Sequence, residues 1–302
     1  MRPAMHFKKP VFLLCLCLGL LTGQTAAARM LVIGTISDEP VKETRTFLPF
    51  ARHLAAQLQD QGITGASVTI ARDISEMSDL LRTGAVDIYI DSPLVSLAVR
   101  AECGSRLLAR RWKKGIAQYQ SVIFARQDSG IQALADLKGK VVAFEEPFSS
   151  SGYILPRLAI GDQIVPLAAL PNLRAERPDS GTAYVFSGDD GNTLEWVLRG
   201  LVDAGAMSLR GLKMHAGGDF EDLSILLETN AIPRHVVSVS PDASAAFSQT
   251  LLAVLTGMDQ SGPGRNVLQD FEGTTKFDAI PASTQELLDQ FQAPVAILIS
   301  GD

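Results

Sequence analysis

Cysteine is nearly absent from the part of this chain that is expected to fold. Of three cysteines, Cys15 and Cys17 sit in an apolar N-terminal stretch that reads as a leader. Cys103 is left alone, so no internal disulfide can form and the fold must stand on its own core. Cys103 itself reads as a small buried apolar residue. Histidine is equally scarce: of four, His6 lies in the leader, and His53, His215 and His235 are scattered. There is no His-Glu-x-x-His and no Cys/His cluster, so no metal site is expected. The chain also lacks Gly-x-x-x-x-Gly-Lys-Ser/Thr and Gly-x-Ser-x-Gly, which removes a P-loop and the nucleophile-elbow signature. No cofactor is implied. Low-complexity tracts and fixed-period repeats are missing, and no apolar run beyond the leader reaches membrane-spanning length. Basic residues are outnumbered, 27 against 33 acidic, and no basic patch is interleaved with aromatics. Nucleic acid is therefore excluded as a partner.

What is present begins with an export signal. Arg2, Lys8 and Lys9 form a basic n-region, residues 11–21 an apolar h-region, and Thr25-Ala26-Ala27-Ala28 a small-residue cleavage site. With no lipobox cysteine after the h-region, residues 1–28 read as a cleavable signal peptide of a soluble exported protein. Removing its three cations leaves 24 basic and 33 acidic residues, a net charge of −9. About 270 residues remain, enough for one large or two modest domains.

Patterning over those residues alternates strand and helix. Residues 30–34, 66–71 and 86–90 read as buried strands. Between them, 47–59 carries Phe47, Phe50, Ala51, Leu54 and Leu58 at helical spacing, and 74–82 is a helix stopped by Gly84. A further helix is expected at 94–100. This β-α-β-α-β-α order marks a sheet with crossover helices. Later strands are expected at 119–126, 141–144, 184–186, 204–208, 223–228 and 236–239. Helices are expected at 128–137, 153–158, 192–200, 247–255 and 287–291. Two αβ units joined by extended segments predict two lobes, with 120–126 and 234–239 as the crossing strands.

The most informative stretch runs from Phe144 to Pro156. A strand ends in a polar turn, then Ser149, Ser150, Ser151 and Gly152 lead into a helix. Hydroxyls and free N–H groups converging there make an anion site, although a serine N-cap alone would read the same way. In open α/β sheets ligands sit beyond the carboxyl ends of strands. The loops 35–37, 91–93, 149–152 and 187–192 occupy such places, and all are rich in hydroxyl, carboxyl or amide groups. Glu145-Glu146 reads as a solvated turn, with cation binding as the alternative.

The chain resembles the substrate-binding proteins of phosphate, phosphite and phosphonate ABC importers over nearly all its mature length. The likeness is most specific at Tyr119-Gln120-Ser121-Val122-Ile123, Asp128-Ser129, Leu137-Lys138-Gly139-Lys140 and Ser149-Ser150-Ser151-Gly152-Tyr153, with Gly34-Thr35-Ile36-Ser37 resembling the first ligand loop. It implies a two-lobed, hinged periplasmic-binding-protein fold, each lobe a mostly parallel sheet flanked by helices. Lobe 1 would comprise 29–122 plus 235–302, and lobe 2 would comprise 123–234. It implies a periplasmic, non-catalytic monomer that hands a small phosphorus oxyanion to an inner-membrane permease. Ser149, Ser150, Ser151, Gly152 and Tyr153 would hold the oxyanion, Ser121 would sit near the hinge, and Ile36 or Ser37 would close the other side.

Two departures from the family pattern bear on the ligand. Asp91, followed by Ser92, stands where phosphonate binders place an aromatic. Asp189, ahead of Asn192, stands where they place a histidine. Carboxylates repel a dianion, so these residues would accept a hydrogen bond from a protonated ligand oxygen, hold a ligand ammonium, or redirect the pocket to another ligand. Asp91 as a helix cap and Asp189 as a turn residue remain open readings. So do a sensory role beside a separate kinase or cyclase, and an exported serine hydrolase, which lacks an evident base.

Overall fold

The computed structural model describes residues 1, 28–161, 167–177 and 181–300. The expected signal peptide lies almost wholly outside the described residues. The first elements follow the expected alternation: β1 (Arg29–Ile36), α1 (Pro40–Gln57), β2 (Ile63–Ala71), α2 (Ile74–Arg82), β3 (Ile88–Asp91) and α3 (Pro93–Cys103). The helix α1 starts about two turns earlier than its apolar stripe because Pro40 suits the first helical position. Its buried face, Phe47, Phe50, Ala51 and Leu54, is the one the spacing marks. Asp73 caps α2 by accepting from Glu76 N at 2.8 Å, and Gly104 at φ 76° closes α3.

Beyond α3 the chain runs through β4 (Arg106–Lys113), the short β5 (Gln118–Tyr119), β6 (Ser121–Arg126) and β7 (Val141–Phe144). It continues through α4 (Leu155–Ile160), β8 (Leu167–Ala169), β9 (Thr182–Phe186), α5 (Asp190–Leu198), β10 (Ala204–Ser208), α6 (Leu209–Ala216) and β11 (Leu223–Glu228). The remainder is β12 (Ile232–Pro233), β13 (His235–Val239), α7 (Ala245–Gly257), α8 (Gly262–Asp270), β14 (Thr274–Ala279) and α9 (Ala282–Ser300). The helix expected at 128–137 is instead two short 3₁₀ turns, Gln127–Ser129 and Leu134–Leu137. Gly130, at φ 75°, separates them.

Two six-stranded sheets form two lobes, in the orders β14-β4-β13-β3-β1-β2 and β11-β6-β10-β7-β9-β8. Pairing is parallel where helices cross over, β1 with β2 and β3, and β7 with β9 and β10. It is antiparallel where the chain re-enters a sheet, as β13 does between β3 and β4. The sheets are therefore mixed, and the first is less parallel than expected. The crossing segments also differ from expectation. β6 lies wholly in the second sheet, so Ser121 and Val122 belong with lobe 2, and β13 lies inside the first. The lobes are joined by the two-stranded ribbon of β5 and β12, with Tyr119 opposite Ile232.

Each lobe has its own apolar core. In lobe 1, Leu31, Ile33, Phe50, Leu54, Phe271 and Phe277 pack together, with Phe50 stacked on Phe271 at 4.3 Å between centroids. In lobe 2, Val122, Phe124, Leu194, Val197 and Met207 do the same. A third cluster spans both lobes and takes in Leu288 and Val295 of α9. The strand β4 is not among the strands expected from the patterning. In the fold, Arg111 is buried, donating to Thr274 Oγ1 (2.8 Å), Phe271 O (2.8 Å) and Glu272 Oε2 (3.0 Å).

Candidate functional site

A cavity of about 840 Å³ lies between the lobes. Lobe 1 supplies the end of β1 with Ser37, Asp38 and Glu39, the end of β3 with Asp91 and Ser92, and Lys113 and His235. Lobe 2 supplies Glu145, Glu146 and Phe148 to Ser151 after β7, Gly188 to Asp190 after β9, and Ser208 at the end of β10. Tyr119 and Arg234 come from the hinge ribbon and its edge. These are the carboxyl ends of strands and the crossover between sheets, where α/β folds place ligands.

The serine turn is a single turn of π-helix, Ser150–Ile154, leading into α4. Ser149 caps it: its carbonyl accepts from Tyr153 N (3.1 Å) and Ile154 N (3.0 Å), and its hydroxyl accepts from Gly152 N (2.8 Å). The Ser149 hydroxyl in turn donates to Glu145 Oε2 at 2.5 Å. Gly152 is required here because a Cβ would lie 2.4 Å from Glu145 Cβ. Ser150 reaches across the lobes, donating to Ser92 Oγ at 2.9 Å and accepting from Leu94 N at 3.0 Å. One of the orphan amides at the start of α3 is thus satisfied by a hydroxyl of the other lobe.

Of the expected site residues, Ile36, Ser37, Asp91, Ser92, Ser149, Ser150, Ser151 and Asp189 line the cavity together. Four do not line it. Ser121 is fully buried and donates to Ser151 O at 2.5 Å, so it braces the turn from behind. Gly152 spends its amide on Ser149. Tyr153 is buried among Phe144, Tyr184 and Phe186, with centroids 5.1–5.9 Å away. Asn192 donates to Ser187 O (3.0 Å) and Asp189 Oδ2 (2.7 Å).

The two acidic departures resolve differently. Asp189 caps α5, accepting from Asn192 N at 2.7 Å, while also facing the cavity. Asp91 does not cap α3. Its oxygens accept from Ser92 N (2.6 Å), Ile36 N (3.2 Å) and Thr35 Oγ1 (3.3 Å), tying β3 to the end of β1. Burial raises its carboxyl against those donors.

Sequence reasoning missed most of the charge that surrounds these residues. Glu145 and Glu146 are not a solvated turn but part of the wall. Burial, then Asp190, lifts Glu145 to about 7. Burial, then Asp38 across the cleft, lifts Glu146 to about 7. Burial raises Asp190 to about 6 although Arg234 opposes it. Against seven lining carboxyls stand three cations, Lys42, Lys113 and Arg234. Lys42 pairs with Glu39. Lys113 is 2.8 Å from Glu272 Oε1, and burial lowers its ammonium. Arg234 has no ion-pair partner within 4 Å among the described residues; its guanidinium lies 5.2 Å from the Tyr119 ring centroid. His235 is kept neutral by burial, reinforced by Lys113, Arg111 and Arg234. The visible signal for Arg234 was its place at a predicted crossing segment.

The arrangement can bind an anion at Arg234 and the serine turn. It can also hold neutral carboxylic acids or carboxylates beside that anion. Neither Ser149 nor Ser150 is hydrogen-bonded to an imidazole among the described residues; the Ser149 hydroxyl is held by Glu145 and that of Ser150 by Ser92.

Residues 33–284 match the family described as ABC transporter, phosphonate, periplasmic substrate-binding protein. Among solved structures, the ATP-bound XAC2383 of Xanthomonas citri is 25% identical, covering 90% of this chain and 98% of its own, with a TM-score of 0.83. PhnD1 of Prochlorococcus marinus (MIT 9301), solved with methylphosphonate, is 17% identical, covering 88% and 98%, with a TM-score of 0.62. A curated relative, the tetrathionate sensor histidine kinase TtrS of Salmonella typhimurium, is 28% identical over 173 residues. That match takes in 55% of this chain and 27% of TtrS.

Proposed function

Because the chain belongs to the phosphonate-binding family of ABC-transporter periplasmic substrate-binding proteins, we propose that it captures a small oxyanion between its lobes and presents it to an importer permease. The family is periplasmic, binds small molecules and works with ABC permeases; it is a family of binding proteins, not of catalysts. No helix among the described residues is long and apolar enough to cross a membrane. The observation that carries the ligand reading is Arg234, a cation unpaired among the described residues at the hinge edge of the inter-lobe cavity. Guanidinium suits an oxyanion because its fork of donors matches two oxygens at once.

The mechanism is hinge closure. Open and closed forms exchange by rotation at the β5/β12 ribbon, and a ligand touching both lobes favours the closed form by its differential contacts. Ser149 and Ser151 from lobe 2, Ile36 and Ser37 from lobe 1, and Arg234 at the hinge are the proposed contacts. Glu145 and Asp190 titrate near neutrality, so in their neutral forms they donate to the oxyanion instead of repelling it. The same two carboxyls, ionised, would hold an ammonium on a zwitterionic phosphonate. The protein is expected to act as a monomer after removal of residues 1–28.

A thermal-shift screen of refolded, dialysed protein tests this. The panel is phosphate, phosphite, methylphosphonate, 2-aminoethylphosphonate, sulfate, choline, betaine and amino acids. A ligand at 100 times its Kd adds about 2.7 kcal/mol. Shifts confined to phosphorus oxyanions support the reading; shifts with cations alone overturn it.

The TtrS match favours a second reading, in which the same fold reports a ligand to a separate membrane kinase or cyclase. The oxyanion in that relative's name, tetrathionate, keeps the ligand class and changes the partner. Ligand uptake lost on gene deletion marks the importer. Uptake retained with a lost ligand-dependent signal marks the sensor.

A further inference from the structure

A second cavity, of about 540 Å³, also lies between the lobes and shares Phe148 with the cleft as a common wall. Lobe 2 contributes Pro147, Phe148, Tyr153, Tyr184 and Phe186; lobe 1 contributes Asp73, Ile74, Ser75 and Glu102; Ile299 of α9 completes it. Its volume falls within the range of small-molecule sites, and such sites combine apolar walls with a few polar groups.

The aromatic wall is preformed. Tyr153 meets Phe186 edge to face at 5.1 Å, Tyr184 meets Phe186 at 5.5 Å, and Phe144 backs Tyr153 and Tyr184 at 5.2 and 5.5 Å. Each ring fixes its neighbour, so the wall needs no rearrangement to receive a guest. Ile74 faces it from the first turn of α2.

The rim carries two carboxylates. Asp73 caps α2, and Glu102 sits in the last turn of α3. Neither is in an ion pair among the described residues. Glu102 also stands at a helix C-terminus, where the dipole disfavours a carboxylate. An unpaired acid held against the dipole at the mouth of an aromatic pocket is complementary to a cation. Aromatic faces bind cations as well as apolar surface.

We infer that this cavity is a second ligand site, for a small organic cation carrying an apolar or aromatic body. It does not rest on the oxyanion reading of the cleft. Its walls come from both lobes.

The test is calorimetric titration of the full chain with benzyltrimethylammonium, and with benzyl alcohol as the neutral counterpart. The cation is expected to bind about tenfold more tightly than the neutral ring. Glu102→Gln is expected to weaken it about two- to fivefold. Ile299→Trp, which fills the cavity, is expected to abolish it and leave oxyanion binding in the cleft unchanged. Should Ile299→Trp not fold, Glu102→Lys, at an exposed position, is expected to abolish cation binding instead. Arg234→Gln is expected to leave cation binding intact. The inference is overturned by no binding at millimolar cation, by equal binding of benzyl alcohol, or by cation binding that survives the blocking variant. The last result would place the cation in the acidic cleft.

Discussion

Replacing Arg234 with glutamine removes the cleft's one cation that lacks a carboxylate partner among the described residues. A charge-assisted hydrogen bond contributes about 1.5–3 kcal/mol, and two oxygens held by one guanidinium set an upper bound of roughly 6 kcal/mol. A compensation acts in the other direction. Arg234 opposes the upward shift of Glu145 and Asp190, so its loss leaves both carboxyls more protonated at neutral pH and less repulsive to an anion. The net expectation is about 2 kcal/mol, roughly a 30-fold rise in Kd. Stability should change little. The contact with Tyr119 contributes about 0.5–1 kcal/mol, and removing a cation relieves Lys113 and Arg111, which lie near it. The assay is calorimetric titration of the panel oxyanion giving the largest thermal shift, with Lys42→Gln at the exposed rim as control. Lys42 should cost under about 1 kcal/mol. A Kd for Arg234→Gln within twofold of the wild type, or a loss no greater than that of Lys42→Gln, would refute the assignment.

Ser150→Ala removes both cross-lobe bonds of that hydroxyl, about 1 kcal/mol each. The ligand-free protein should then populate the open form more, read as a larger radius of gyration by X-ray scattering; an unchanged radius counts against the cross-lobe contact. Glu145→Gln tests the raised carboxyl. A carboxyl raised from 4.5 to about 7 loses stability as pH climbs between those values. The variant should therefore match wild type at pH 4.5 and exceed it at pH 8 by on the order of 2 kcal/mol, and parallel profiles would contradict this. Glu272 is the opposite case. Burial pushes it up, but Lys113 and Arg111 outweigh that and hold it at about 2. Its stabilisation is complete above pH 4.5 and disappears as pH falls towards 2. Glu272→Gln should cost about 3 kcal/mol at pH 7 by denaturant titration, with the deficit closing in acid; a constant deficit would disprove the linkage.

The elements the sequence made legible are those whose burial repeats locally. Phe47, Phe50 and Leu54 reveal α1 because every third or fourth residue faces one core. β4 stayed hidden because Arg111 is buried through partners 160 residues and more away, and nothing local announces such a partner. The serine turn was visible as hydroxyls before a helix. Its division of labour was not: Ser149 turns to Glu145, Ser150 to the other lobe, and Ser151 is held by Ser121. Tyr153 read as a ligand residue by its place in the motif, yet the extra residue of the π-turn belongs to a segment that sends its ring into the aromatic cluster. Glu145 and Glu146 looked like solvent-facing acids because sequence carries no record of the opposing wall.

The insertion of β13 between β3 and β4 fixes an order of assembly. Lobe 2 is continuous in the chain and can complete its sheet as soon as β11 is available. Lobe 1 cannot: the central strand of its sheet arrives only after all of lobe 2 has been synthesised, and the edge strand β14 later still. Until then β3 and β4 have no strand to bridge them, and the loop to be closed contains an entire folded body, whose closure entropy must be met before β13 contributes its contacts. The ribbon of β5 and β12 is thus the point at which the chain, having built one sheet, returns to finish the other.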